Sequence, residues 1–370
     1  MDTQKVSLKE ALSKIEEFRQ ARGLRYKLLS VLLLACVAMM CGAQSEAAIA
    51  EWGRNYGCKW LRRLGIKRKT SPSQSTIHRV FKGIAVTALE SAITSWAESV
   101  LGEPKALDAI AIDGKALKGA IKQGAQDAYL LSAVSHRLAT VLAQVAVADR
   151  TNEIGQMDEL LEQLTLTGFV VTADAMHTQA ETAQTILDKG GDYLLVVKEN
   201  QPTLRREIAL VFETSLLAET VAQSSSTTTH GSRIETRAIS VSTAMRGLSN
   251  WPGLFQVMKL ERTVINKTTG EIREETVYGV TSLSLLRAKP EQLNELWRGH
   301  WTIENKLHWV RDVTFDEDRS TVRSGNAPQA MAAIRNVAIS LLRLRNVTNI
   351  AAAVRRYAAQ PALAFTAIGI

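Results

Sequence analysis

Cysteine is scarce and poorly placed for cross-linking. The 370-residue chain has 3, Cys36, Cys41 and Cys58, with no CxxC pair and no clustered histidine. That excludes a disulfide framework and a structural zinc site, so any metal would be held by oxygen. Proline is also sparse, at 7 residues, beside 22 glycines, 46% hydrophobic and 22% charged residues. Fibrous repeats and wholesale disorder are thereby excluded. The sequence lacks GxxxxGK[ST], and no GxGxxG follows a strand, which speaks against a nucleotide-dependent kinase or ATPase. The length of 370 residues predicts two to three domains.

The net charge of +8 is unevenly distributed. Residues 1–100 hold 16 Lys/Arg against 8 Asp/Glu, whereas the remainder holds 29 of each. A basic module joined to a neutral body points to a polyanion such as DNA, although a solvated basic surface has the same composition. One run invites a membrane reading: 18 uncharged residues, LLSVLLLACVAMMCGAQS, lie between Lys27 and Glu46. It follows an amphipathic segment, contains Ser30, Gln44 and Ser45, and has no hydrophobic successor. It therefore reads as a buried helix, with a membrane or export segment as the alternative.

The periodicities predict a basic N-terminal helical domain over 1–100. Its helices are SLKEALSKIEEFRQARG (7–23, opened by Ser7 and Glu10 in capping-box spacing), the apolar run, 46–65, and STIHRVFK (75–82) with His78, Arg79 and Lys82 exposed. The basic loop Lys67-Arg68-Lys69 precedes the last of these. From about 101 to 215 the pattern becomes βββαβαβ followed by a helix, with strands at 106–112, 129–134, 140–147, 168–172 and 192–197. Residues 216–288 form a β-rich insertion with strands at 237–242, 255–264 and 274–281, residues 289–346 return to helix, and 347–370 are a C-terminal tail. The fold class is α/β, with a mixed sheet.

Two carboxylates end apolar strands: Asp113 in LDAIAIDGKALKG and Asp174 in GFVVTADAMHTQ. Strands of one sheet lie about 5 Å apart, so two such groups can share a cation. A third sits in the helical stretch LNELWRGHWTIENKLHWVRDVTF, where Trp297, His300, Glu304, His308 and Arg311 recur at helical spacing on one face. Three carboxylates without soft ligands suit two Mg²⁺ or Mn²⁺ ions and phosphoryl transfer on nucleic acid. Lys115, Lys118, Lys198 and Arg311 would then hold phosphates.

These segments resemble insertion-sequence transposases with a DDE site on a ribonuclease H-like fold, of the H-repeat-associated type. The matching stretches are IAIDGKALKG, TADAMHTQ, YLLVVKENQPTL, HGSRIETR and HWTIENKLHWVRDVTFDEDRSTVRSGNAPQAMAAIRN, in family order from about residue 10 to 345. The resemblance implies a catalytic triad of Asp113, Asp174 and Glu304 binding two divalent ions, which hydrolyses a phosphodiester at the element end and transfers the strand into target DNA. It also implies that Trp297, His300 and Arg311 stand where related enzymes place a Tyr, an Arg and a Lys around the Glu, at the transposon end. The expected partners are double-stranded DNA, as terminal inverted repeats and target, and a second copy in a synaptic homodimer, in a cytoplasmic, nucleoid-associated protein without a membrane span. Lys67, Arg68, Lys69, Lys115 and Lys198 complete the expected DNA contacts, and His177 either bonds the scissile phosphate or orients Asp174. The alternatives are a metal-dependent endonuclease without strand transfer and a decayed or regulatory DNA-binding protein.

Overall fold

The computed structural model describes residues 6–22, 24–122, 129–147, 153–214 and 221–370. They form two compact units: residues 1–103, 114–164 and 302–370 in the first, and 104–113 and 165–301 in the second. The boundary passes through one strand, immediately after Asp113.

The first unit opens with five helices: α1 (Leu8–Ser13), α2 (Leu28–Met40), α3 (Glu46–Arg63), α4 (Gln74–Gly83) and α5 (Val86–Leu101). The apolar run becomes α2, which is buried over nearly its whole length and is touched by α1, α3 and α4. At 13 residues and about 1.5 Å per residue it spans about 20 Å, short of a bilayer's hydrocarbon core. No described helix is long and apolar enough to cross a membrane. Each Leu or Val withdrawn from water there contributes about 1.5–3 kcal/mol, so the run is a core element.

The helix expected over 7–23 stops at Ser13. The capping box at Ser7 and Glu10 forms as expected, but tertiary contacts claim the residues beyond. The Glu17 carboxylate takes the Arg19 guanidinium at 2.7 Å and the Leu28 N–H, at the start of α2, at 3.1 Å. Phe18 leaves the apolar stripe to lie against Gly83, where an added Cβ would meet its ring at 2.8 Å. In α3, Gly57 takes φ 72°, a kink open only to a residue without Cβ strain. His78, expected exposed, is half-buried, with Nδ1 3.0 Å from Glu46.

Then follow β1 (Ala109–Ala116), α6 (Lys118–Lys122), β2 (Tyr129–Ser135), β3 (Val141–Val147), α7 (Glu153–Glu162), β4 (Val170–Ala173), α8 (Ala180–Asp188), β5 (Asp192–Val197) and α9 (Pro202–Glu213). This is the expected βββαβαβ string and its helix, except that the short α6 intervenes between the first two strands. In the hydrogen-bonded order β3-β2-β1-β4-β5-β9-β8-β7-β6, β1, β4 and β5 run parallel and the other described pairings antiparallel, giving a mixed nine-stranded sheet.

The insertion contributes β6 (Val221–His230), β7 (Arg233–Ser242), β8 (Gln256–Asn266) and β9 (Ile272–Thr281), an antiparallel meander in the second unit. In the turn after β8, Asn266 Oδ1 accepts from Thr268 N at 2.9 Å and Gly270 takes φ 72°. β6 was not legible as a strand, because Gln223–Thr229 has no apolar alternation.

The chain continues through α10 (Pro290–Gly299), a π-helical turn at Glu304–His308, α11 (Trp309–Val313), α12 (Ala327–Arg343), α13 (Ile350–Ala359) and α14 (Ala362–Ala367). Residues 347–370 thus fold as helices. Tyr56 Oη donates to Ala358 O at 2.7 Å, and the Phe365 ring lies 4.8 Å from that of Trp60.

A buried ion network braces the first unit. Glu317, 2% exposed, accepts from Arg311 Nε at 2.8 Å and from Arg335 Nη1 at 3.0 Å, and Arg335 also donates to Gln44 O. Burial raises the carboxyl's pKa, yet the two guanidinium groups, Arg311 foremost, hold it below the ordinary value. Removing the central anion strands two buried cations, which costs about 3–5 kcal/mol. Glu317→Gln should therefore lower the free energy of urea unfolding by about that amount at pH 7. Because the folded carboxyl titrates low, the wild-type contribution is complete above the unfolded Glu pKa and disappears as pH falls through the folded one. The gap between wild type and variant should close on acidification, and a constant gap would deny the network this role.

Candidate active site

Strand register supplies the first half of the site. β1 and β4 pair in parallel with Ala109↔Val170 through Ile112↔Ala173, and those eight residues are buried. Asp113 and Asp174 are the next residues on two adjacent parallel strands, which lie about 5 Å apart. Both emerge where the buried run ends: Asp113 is half-buried, and the Asp174 side chain is 52% exposed.

Asp174 caps a short 3₁₀ turn, Ala175–His177, its Oδ1 accepting from Ala175 N at 2.7 Å. Lys198 Nζ, just past β5, lies 3.6 Å from the same oxygen. His177 is buried, and burial pushes its pKa down to about 4 against the pull of Asp174, with His300 lowering it further. It is a neutral imidazole at physiological pH.

The third carboxylate is built differently. The stretch expected as one helix is interrupted at His300 and Trp301, and Glu304 opens the π turn. The single face from Trp297 to Arg311 therefore does not persist as one stripe. Helical hydrogen bonding tightens at the break, where the His300 N–H reaches Leu296 O and Trp297 O at 3.2 and 3.3 Å, and then widens in the π turn.

His308, almost fully buried, has Nδ1 3.2 Å from Glu304 Oε2. Burial lowers the imidazole's pKa, so it stays neutral and donates Nδ1–H to the carboxylate. That hydrogen bond holds Glu304 below the usual carboxylate range against partial burial, assisted by the charges of Lys115 and Lys118. Lys115 is two residues beyond Asp113 on β1. Carboxylate and imidazole ligand atoms at this spacing can share one metal ion.

The cations expected at phosphates have protein partners. Lys115 is buried with Nζ 2.7 Å from Asp312, and Lys118 Nζ lies 3.2 Å from Asp318. Arg311 is fully buried against Glu317. Trp297 belongs to the core of the second unit, where Gly279 leaves room for its ring: an added Cβ would stand 2.8 Å from it. His300 is half-buried, with Nδ1 3.2 Å from Thr172 Oγ1. Lys198 remains substantially exposed, and Lys67, Arg68 and Lys69 are exposed in their loop. The sequence reading missed Asp312, Glu317 and Asp318 as partners of these cations. The signal was available in the acid-rich run RDVTFDEDR, but only the fold says which acid meets which base.

The loop lines one of two adjoining clefts in the first unit, of about 520 and 550 Å³. Their walls carry Lys9, Arg25, Lys27, Arg62, Arg63, Lys67 and Arg68 in one, and Arg19, Arg22, Arg25 and Arg79 in the other. Among the described residues no acidic side chain lines either, although Arg19 on the wall is paired with Glu17 at 2.7 Å.

Residues 104–341 match the family described as transposase DDE domain, and residues 9–97 match its companion, DDE_Tnp_1-associated. YncI of Escherichia coli O157:H7, named for a transposase, is 32% identical over 345 residues, covering 91% of this chain and 87% of its own. YhhI of E. coli K12, named for an H repeat-associated transposase, is 31% identical over 345 residues, covering 90% of each chain. Among solved structures, a piggyBac transposase synaptic complex with hairpin DNA aligns at a TM-score of 0.44 and 12% identity, covering 98% of this chain and 77% of that one. The chain belongs to the DDE transposase family.

Proposed function

We propose that this protein is a DNA transposase that hydrolyses a phosphodiester at the end of an insertion sequence and transfers the freed strand into target DNA. Asp113, Asp174 and Glu304 are the proposed metal-holding triad, taking two Mg²⁺ or Mn²⁺ ions. The observation that carries the reading is the β1–β4 register, whose last pair, Ile112↔Ala173, is followed on each chain segment by one of the first two carboxylates. The donor chemistry fits hard divalent cations, since all three groups offer oxygen and Glu304 is kept ionised by its His308 hydrogen bond. Divalent ions bound by such carboxylates neutralise charge on a transferring phosphate and lower the pKa of water.

The chain's own residues would do the rest. Lys198 can exchange Asp174 for a phosphate oxygen, because the pair is exposed and long at 3.6 Å. Neutral His177 places no competing cation beneath Asp174. Lys115 and Lys118, tied to Asp312 and Asp318, act by fixed charge on Glu304. Trp297, His300 and Arg311 serve as positioning groups, since each is engaged within the protein. Duplex DNA would lie on the two acid-free basic clefts, where neutralised phosphates release counterions.

The first test is a cleavage and joining assay on a labelled duplex that includes the boundary of the element. Mg²⁺-dependent nicking at a fixed position, followed by joining to a second DNA, is expected. Asp113→Asn, Asp174→Asn and Glu304→Gln should each reduce both steps to background while circular dichroism and DNA retention stay unchanged. Nicking without joining would instead identify an endonuclease, and DNA binding without either step a non-catalytic binding protein.

The clefts generate a second prediction. Arg25→Glu, Lys67→Glu and Arg68→Glu should weaken binding to all duplex sequences alike, and each lost phosphate contact should flatten the slope of log affinity against log salt by about one. An unchanged slope would place the DNA elsewhere.

His308→Ala should raise the pKa of Glu304 and shift the acidic limb of the cleavage pH profile upward. His308→Gln, which retains a donor, should restore part of that shift. Coincident profiles for the three proteins would remove His308 from the control of Glu304.

A further inference from the structure

The insertion ends in an unusual edge. β6 is the last strand in the order of the sheet and, among the described residues, pairs on one side only, with β7, through ten consecutive partners from Val221↔Ser242 to His230↔Arg233. Exposed edge strands normally carry lysine, proline or a bulge that blocks pairing with another chain. Residues 221–229, VAQSSSTTT, have no charge and no proline, and the β6–β7 register is unbroken. The other insertion strands are all charged, with Arg233, Glu235 and Arg237 on β7, Glu261 on β8 and Glu274 on β9 among them.

The edge is also held stiff. Asn294 Nδ2 and Arg298 Nη2, on α10, donate to Ser226 Oγ at 3.2 Å and Thr228 Oγ1 at 3.3 Å. On the odd-numbered positions, the Thr227 and Thr236 hydroxyls meet at 3.0 Å. A straight, pre-ordered strand loses little conformational entropy on pairing, so its outward backbone groups form a ready template.

We infer that β6 is an interface between two copies of this chain, paired antiparallel with each other about a twofold axis. Two identical strands in that arrangement place residue i opposite residue j and j opposite i. Any charge near the centre would therefore meet its own kind, and a central stretch free of charge is what self-pairing demands. Opposed Ser and Thr side chains can hydrogen-bond across the join as Thr227 and Thr236 do within the chain. Nucleic acid is the other occupant that the test separates: residues 221–229 carry no cation of their own, and a neighbouring cation, Arg298, is bonded to Thr228. The interface does not depend on the catalytic reading.

The test is light scattering of the full chain over a range of concentrations, with and without duplex DNA. The wild type should rise from 40.6 kDa towards twice that mass. Ser225→Lys and Thr227→Lys, at exposed side chains, should raise the dimer dissociation constant at least tenfold. Thr227→Val, which keeps the strand uncharged, and Thr268→Lys, in the turn after β8, should not. Ser225→Cys should give an intermolecular disulfide on oxidation that the wild type, with its own three cysteines, does not form. A wild type monomeric under every condition, or lysine variants with unchanged association, would overturn the inference. So would lysine variants that associate as before but bind duplex more tightly, which would assign the edge to DNA.

Discussion

The parallel pairing of β1 with β4 is the constraint on which the reading of the second unit depends. Each strand brings four consecutive buried residues, Ala109–Ile112 and Val170–Ala173, and such runs are stable only when both faces of the strand are covered. The buried run must end where the strand reaches water, and a carboxylate is tolerated only past that point. Asp113, within β1, and Asp174, just past β4, each follow the last paired position by one residue, so the requirement to bury valine and isoleucine also sets the two acids side by side. A slip of one residue would turn the buried set outward, and hydrophobic burial therefore protects the register.

The first unit controls its carboxylate by charge. Glu304 is ionised because a buried, neutral His308 gives it a hydrogen bond and because Lys115 and Lys118 lie within electrostatic reach. Those lysines are in turn fixed by Asp312 and Asp318, and the same acid-rich stretch supplies Glu317 to the Arg311–Arg335 pair. Charges that read in the sequence as a surface for phosphates are largely spent on ordering the protein around Glu304. Gly119 shows how closely this stretch packs: a Cβ there would stand 2.6 Å from Ser320 O, so α6 can approach only because that residue is glycine.

Exposed positive charge is concentrated elsewhere, in the acid-free clefts among α1, the chain leading into α2, the end of α3 and the start of α4. The segment after α1 carries Arg22 and Arg25 to these clefts because it is not helical, whereas Arg19 on the same wall is held by Glu17. Had 7–23 continued as one helix, that charge would have been distributed around a cylinder. The failure of the periodicity there is thus the origin of a concentrated basic surface.

Much of the protein was legible from the chain alone. Apolar runs ending in Asp113 and Asp174, the βββαβαβ alternation and the basic N-terminal hundred residues follow from burial and charge, which act locally and leave a periodic trace. Tertiary structure decided the remainder. It ended α1 at Ser13 by offering Glu17 and Phe18 better partners in Leu28, Arg19 and Gly83. It made a strand of the Ser/Thr run 221–230 by pairing it with β7, and it buried Trp297 and Arg311, which spacing had placed on one face with Glu304. Partners distant in sequence leave no periodic trace, and a π turn or an edge strand is stabilised by what packs against it rather than by its own residues.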